Sequence, residues 1–175
     1  MKRLVLIRHA KSSWKHPELT DFDRPLNKRG RQDAPMMGER LAKRALHPDV
    51  IVCSPALRAR QTAEAIAGRI ALPAQQLLYR PEIYEAEPDA LLDLIRDFDQ
   101  DWQTVFLVGH NPGLTELGNQ LAACDLDNLP TCALLVIDFE IPSWRQLAPG
   151  AGTLFLYDYP KNFVAIPASK NPDKP

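Results

Sequence analysis

The sequence predicts an α/β fold, a three-layer sandwich in which helices cover both faces of a mostly parallel sheet and an antiparallel hairpin closes one edge. Three observations lead there. Leu4-Val5-Leu6-Ile7 and Val105-Phe106-Leu107-Val108 are unbroken apolar runs, as expected of strands buried on both faces rather than on one. Segments of helical period separate the early strand candidates from one another, as parallel neighbours require. Two further runs, 133–139 and 152–157, follow each other with no helix between them and should pair as the hairpin.

Each element has its own signals. After the first strand, residues 14–26 carry Pro17 and Pro25 and no apolar period, so they form a loop close to the strand end. Asn27 can cap a helix running to about residue 45, with Ala34, Met37, Leu41 and Ala45 on one face. Pro35 lies inside that pattern and predicts a kink, or a separate turn before a helix that starts near residue 34. Residues 49–53 form a second buried strand. Ser54 as cap and Pro55 in the first helical position then open a helix whose inward face is Ala59, Ala63, Ile66 and Ile70. A short strand near 76–79 leads to an acidic stretch, 82–89, and to a helix over 90–98 opened by Pro88 or Asp89. The strand at 104–108 ends in Gly109-His110, with Asn111 as cap and Pro112 as first residue of a helix to about 123.

Composition narrows the class. With 175 residues and 45% hydrophobic content, the chain fits one domain over 1–160, followed by a Pro- and Lys-bearing tail over 161–175 that is expected to be mobile. No apolar stretch reaches the ~18 residues of a membrane helix. Lys2-Arg3 before an apolar run imitates a secretory start, but Arg8 and His9 interrupt it too early, so the expected location is cytoplasmic. Cys53, Cys124 and Cys132 lack C-x-x-C spacing and read as reduced thiols, with neither a disulfide framework nor a zinc site. The net charge of −1 and the mixing of both signs exclude a basic nucleic-acid surface as the theme of the sequence.

The chemistry gathers at strand ends. Ligands of open α/β sheets collect beyond the carboxyl ends of parallel strands. Arg8 and His9 end the first strand, His110 ends another, and Arg58 lies near the first turn of the helix after the second. A neutral histidine can attack a phosphoryl group in line and carry it as phosphohistidine. Arg8, Arg58 and His110 would then hold the equatorial oxygens, arginine being suited by its permanent charge and two-pronged donor geometry. Three cations around His9 should depress its pKa and keep it a nucleophile. No cofactor or metal is expected, because His9 and His110 lack the carboxylate or H-E-x-x-H spacing of a metal site. Arg60 reads as a solvated charge; Lys11, Asp21 and Asp23 are solvated loop charges in the favoured reading and line the entrance in the alternative, and one carboxylate between 82 and 89 is a candidate acid.

Leu6-Ile7-Arg8-His9-Ala10, Ser54-Pro55-x-x-Arg58-x-x-x-Thr62 and Val108-Gly109-His110 together resemble the histidine phosphatase superfamily, in its branch with phosphoglycerate mutases and small phosphatases. The resemblance is closer to SixA-type phosphohistidine phosphatases through Lys11-Ser12-Ser13-Trp14, Asp23-Arg24-Pro25-Leu26-Asn27-x-Arg29-Gly30 and Asn111-Pro112-Gly113. It implies a phosphoglycerate mutase-like fold, His9 as the phosphorylated residue, and Arg8, Arg58 and His110 as its phosphate pocket. It also implies a general acid at Glu82, with Glu85 or no dedicated acid as the alternatives. Short connections around the rim suit a bulky substrate, and the labile P–N bond of phosphohistidine asks little of an acid. The expected activity is therefore metal-independent hydrolysis of phosphohistidine on a protein. Hydrolysis of small phosphoesters is the alternative, and a phosphate-binding module without turnover is a further one. Neither nucleic acid nor membrane is an expected partner.

Overall fold

The computed structural model describes residues 1–163. Within them a sheet is built from β1 (Lys2–Arg8), β2 (Val50–Cys53), β3 (Leu77–Tyr79), β4 (Thr104–Gly109), β5 (Leu134–Phe139) and β6 (Gly152–Asp158). Its spatial order is β3-β2-β4-β1-β5-β6. The pairs β3-β2, β2-β4 and β4-β1 are parallel, whereas β1-β5 and β5-β6 are antiparallel. The central strand β1 is thus parallel to one neighbour and antiparallel to the other.

Four helices among the described residues complete the layers: α1 (Lys28–Lys43), α2 (Leu57–Arg69), α3 (Pro88–Arg96) and α4 (Gly113–Ala122). Successive strand residues point to opposite faces. Leu4, Leu6, Val105 and Leu107 pack with Leu91 and Ile95 of α3 and Leu114 and Leu117 of α4. Val5, Ile7, Phe106 and Val108 pack with Met37 and Leu41 of α1 and Ala63 and Ile66 of α2. Both strand faces are dry, which is why the apolar runs lack alternation. Each such Leu or Ile contributes roughly 1.5–3 kcal/mol by leaving water. No helix among the described residues is long and apolar enough to cross a membrane.

Several local expectations are corrected. Lys2 and Arg3 belong to β1 itself: the buried Lys2 ammonium donates to the carbonyls of Gln100 and Trp102, and Arg3 grips Asp138 of β5 with two nitrogens at 2.6 and 2.7 Å. α1 runs uninterrupted through Pro35, and no separate turn precedes it. Its Asn27 cap is as expected, the side chain accepting from Gly30 N, but Ala45 lies past the helix end, exposed and at φ 54°. α2 begins at Leu57, and Ser54 is not its cap. α4 begins at Gly113 with Pro112 as the capping residue, although the Asn111 side chain still accepts from Thr115 N. The tail expected over 161–175 lies outside the described residues from position 164 onward.

One contact ties α1 to the strand end. Asn27 N donates to the Lys11 carbonyl at 2.9 Å, and a Cβ on Gly30 would stand 2.2 Å from that oxygen. Glycine is needed here for close approach rather than for its backbone freedom. Gly30→Ala should lower stability by about 1–3 kcal/mol through forced displacement of the Lys11 backbone. Gly68→Ala, where nothing lies within 4 Å of the added carbon, should instead be neutral or stabilising by up to about 1 kcal/mol from helix propensity. Thermal denaturation of the two variants checks the contrast.

Candidate active site

The parallel strands end level with one another: Arg8 of β1 stands beside Gly109 of β4, and Cys53 of β2 beside Val108. The chain therefore leaves three neighbouring strands at one edge and delivers His9 and His110 side by side, ring centroids 5.2 Å apart. A cavity of about 420 Å³ opens there, lined among others by Arg8, His9, Asp21, Arg24, Arg58 and His110. Arg8, His9, Arg58 and His110, predicted from strand ends, are thus brought together.

His9 is buried, and its Nδ1 lies 2.7 Å from the Ala10 carbonyl oxygen. A carbonyl only accepts, so the proton of the neutral ring sits on Nδ1 and the lone pair is left on Nε2. Nε2 has Arg58 Nε 3.4 Å away, a long and weak donor contact. Burial lowers the His9 pKa to about 3; the Ala10 hydrogen bond works against this, and the charges of His110, Arg58 and Arg8 add to it. Desolvation, rather than the surrounding cations, is the principal reason His9 stays neutral.

His110 is lowered to about 4, again first by burial and then by Arg58. Its Nε2 meets Ser54 Oγ at 2.8 Å. Ser54 is fully buried and its Oγ already accepts from Ala56 N, so the acceptor left for its hydroxyl proton is His110 Nε2. That assigns the ring proton to His110 Nδ1. Among the described residues, Arg8 Nε and this Nδ1 are the buried polar side-chain atoms without a hydrogen-bond partner. Buried donors of this kind are rare and call for an acceptor.

Asp21, for which the sequence favours a solvated charge over a place at the entrance, lines the cavity and organises the cations. Its backbone oxygen accepts from Arg58 Nη1 at 2.6 Å and its carboxylate from Arg58 Nη2 at 3.0 Å, Arg24 Nε at 3.2 Å and the Tyr84 hydroxyl at 2.6 Å. Partial burial raises its pKa, but the Tyr84 hydrogen bond and the two arginines outweigh it and hold the carboxyl at about 2. Arg24 also donates to Ser12 Oγ and lies 3.6 Å over the Trp14 ring. Thr62 accepts from Ala10 N and donates to the Arg58 carbonyl, locking the strand end to α2. Glu82 is not brought to the cavity: it is exposed and faces Arg80 at 3.4 Å. No three His, Cys, Asp or Glu side chains among the described residues cluster as a metal site.

A family model for the histidine phosphatase superfamily (branch 1) matches residues 4–88. The SixA protein of Agrobacterium tumefaciens superposes with a TM-score of 0.79 at 32% identity, covering 91% of this chain and 98% of that one. The chain belongs to the histidine phosphatase superfamily. It is of the SixA type, and SixA from Nakamurella multipartitia is also similar, with a TM-score of 0.76 and 29% identity over 91% of this chain and 96% of that one. An uncharacterized protein of Mycobacterium tuberculosis is 31% identical over 166 residues, 89% of this chain and 100% of that protein. Family and neighbours make the histidine phosphatase fold described above that of a phosphatase.

The histidine pair gives this phosphatase a signed pH dependence. Folded values of about 3 and 4 lie below the ordinary 6.5. Below 6.5 the unfolded chain therefore takes up protons that the folded chain refuses. Their contribution is complete above pH 6.5 and is lost as pH falls through the window down to about 3. Asp21 has the same sign but acts only below its ordinary 3.8. Denaturant unfolding between pH 7.5 and 4 should show stability falling in the wild type and a flatter profile in His9→Gln/His110→Gln.

Proposed function

We propose that the protein is a phosphohistidine phosphatase acting on protein substrates through a phosphorylated His9. The observation that carries this reading is the tautomer of His9: Nδ1–H is spent on the Ala10 carbonyl, leaving the Nε2 lone pair at the cavity beside Arg8, Arg58 and His110. Nε2 attacks phosphorus, the P–N bond of the substrate breaks, and the substrate imidazole, protonated on its other nitrogen, leaves neutral. Water then attacks the phosphorus on His9. The His9–P bond breaks, its electron pair returns to Nε2, and the proton of the water leaves with inorganic phosphate. The equatorial oxygens supply acceptors for Arg8 Nε and His110 Nδ1–H, the buried donors that otherwise lack them among the described residues, with the Arg58 guanidinium beside them.

Substrate class follows from the acid. Asp21 lines the cavity but is held ionised, and Glu82 is exposed beside Arg80. An alkoxide leaving group needs a proton from a positioned acid, whereas a protonated imidazole does not. The SixA relatives from Agrobacterium and Nakamurella are named as candidate phosphohistidine phosphatases, which supports the same class here.

His9→Ala should reduce hydrolysis of a histidine-phosphorylated protein by about three orders of magnitude or more and abolish an acid-labile phosphoenzyme trapped by rapid quench. Turnover by His9→Ala near the wild-type rate overturns the reading. Glu82→Gln tests the acid: a dedicated one is worth about 10²–10⁴-fold, and because Glu82 lies outside the cavity beside Arg80, its loss should lower phosphohistidine hydrolysis by well under that. A wild type that cleaves only small phosphoesters moves the substrate to that class.

A further inference from the structure

We propose that the mouth of the cavity is a docking surface for an acidic polypeptide segment flanking the phosphohistidine, an inference that rests on the phosphohistidine reading above. The catalytic cavity is the first of a connected series of depressions. It shares Lys11 and Thr131 with a hollow that also holds Arg29 and Lys161. Arg29 in turn borders a third, which shares Lys15, Asn27 and Lys28 with a fourth containing Arg31. The acids lining this path are Asp21 and Asp33, and each already faces an arginine, Asp21 with Arg58 and Arg24 and Asp33 with Arg29. Lys11, Lys15, Lys28 and Lys161 are exposed and have no ion-pair partner among the described residues. The chain as a whole carries a net charge of −1, so this face is a local excess set against an acidic remainder.

One phosphoryl group cannot use cations spread over several hollows. An extended anion can, because each carboxylate meets a separate ammonium at the rim, where charge complementarity steers encounter and sets the register of docking. Trp14 points to protein rather than to a small polyanion. It lines the catalytic cavity, remains 77% exposed, and is held flat by Arg24 across one face at 3.6 Å. A rigid, exposed Trp beside a charged rim has the make-up of an interface anchor.

The test uses the full chain and three substrates: phosphoramidate, a phosphohistidine peptide flanked by glutamates, and the same peptide flanked by lysines. The wild type should favour the acidic peptide by about tenfold or more in kcat/KM at low salt, with the preference shrinking as salt rises. Lys15→Glu/Lys28→Glu should erase that preference and leave phosphoramidate hydrolysis unchanged. Folding is not endangered, since both side chains are exposed and glutamate in the first turn of α1 suits the helix dipole. Equal turnover of the two peptides by a wild type that hydrolyses phosphoramidate overturns the surface and spares the phosphatase reading. A wild type inert on all three overturns the phosphatase reading instead. In that case fluorescence anisotropy of the unphosphorylated acidic peptide decides the surface: binding lost in the double variant supports it, and no binding overturns it. Stronger competition by a short single-stranded DNA than by the acidic peptide also overturns the polypeptide assignment.

Discussion

A histidine ring at the end of a fully buried strand stays uncharged because desolvation penalises the imidazolium, and the rest of the cavity is arranged around that constraint. His9 follows β1, whose apolar residues are packed between helices on both faces. Its Nδ1 proton is fixed by the carbonyl of the next residue. Burial therefore chooses the charge state, and one hydrogen bond chooses the tautomer. The arginines add a further downward push, but their larger service is to offer donors to whatever oxyanion sits before Nε2.

Gathering Arg8, Arg24 and Arg58 at one edge creates a repulsion that the fold must offset. Asp21 does so by accepting from Arg58 twice, from Arg24 and from Tyr84. A carboxylate so surrounded is ionised and a poor proton donor. The residue that stabilises the cation cluster is thus unsuited to be its acid, and this bears on which leaving groups the site can serve. Ser54 plays a parallel part for His110, since its buried hydroxyl has that ring nitrogen as its acceptor.

Positive charge continues outward along α1 and the loop before it, where Gly30 lets the helix approach the Lys11 backbone closely. The same contact that anchors the strand end holds Lys11 at the cavity and Lys28 and Arg29 at neighbouring hollows. Structure that supports the cavity and the exposed positive charge beside it share one stretch of chain.

Much of this was legible in the sequence. The doubly buried strands, the edge hairpin, the inward faces of α2 and, as far as Leu41, of α1, and the convergence of Arg8, His9, Arg58 and His110 follow from local pattern, because strand burial and helix period are written in neighbouring residues. The starts of α2 and α4 were misjudged because Ser54 and Asn111 are good caps by type, yet Ser54 is committed to His110 and Asn111 acts from one residue further out. The pairing of Asp21 was missed because its partner Arg58 is 37 residues away in sequence, and a loop aspartate carries no local mark of its pairing. Glu82 shows the converse, a motif position whose side chain faces Arg80 instead of the cavity. The sequence alone determined which residues reach the carboxyl edge of the sheet, since covalent order and apolar period suffice for that. Only the tertiary structure decided their protonation, their tautomers and their carboxylate partner, because desolvation and long-range hydrogen bonds exist only once distant segments are packed together.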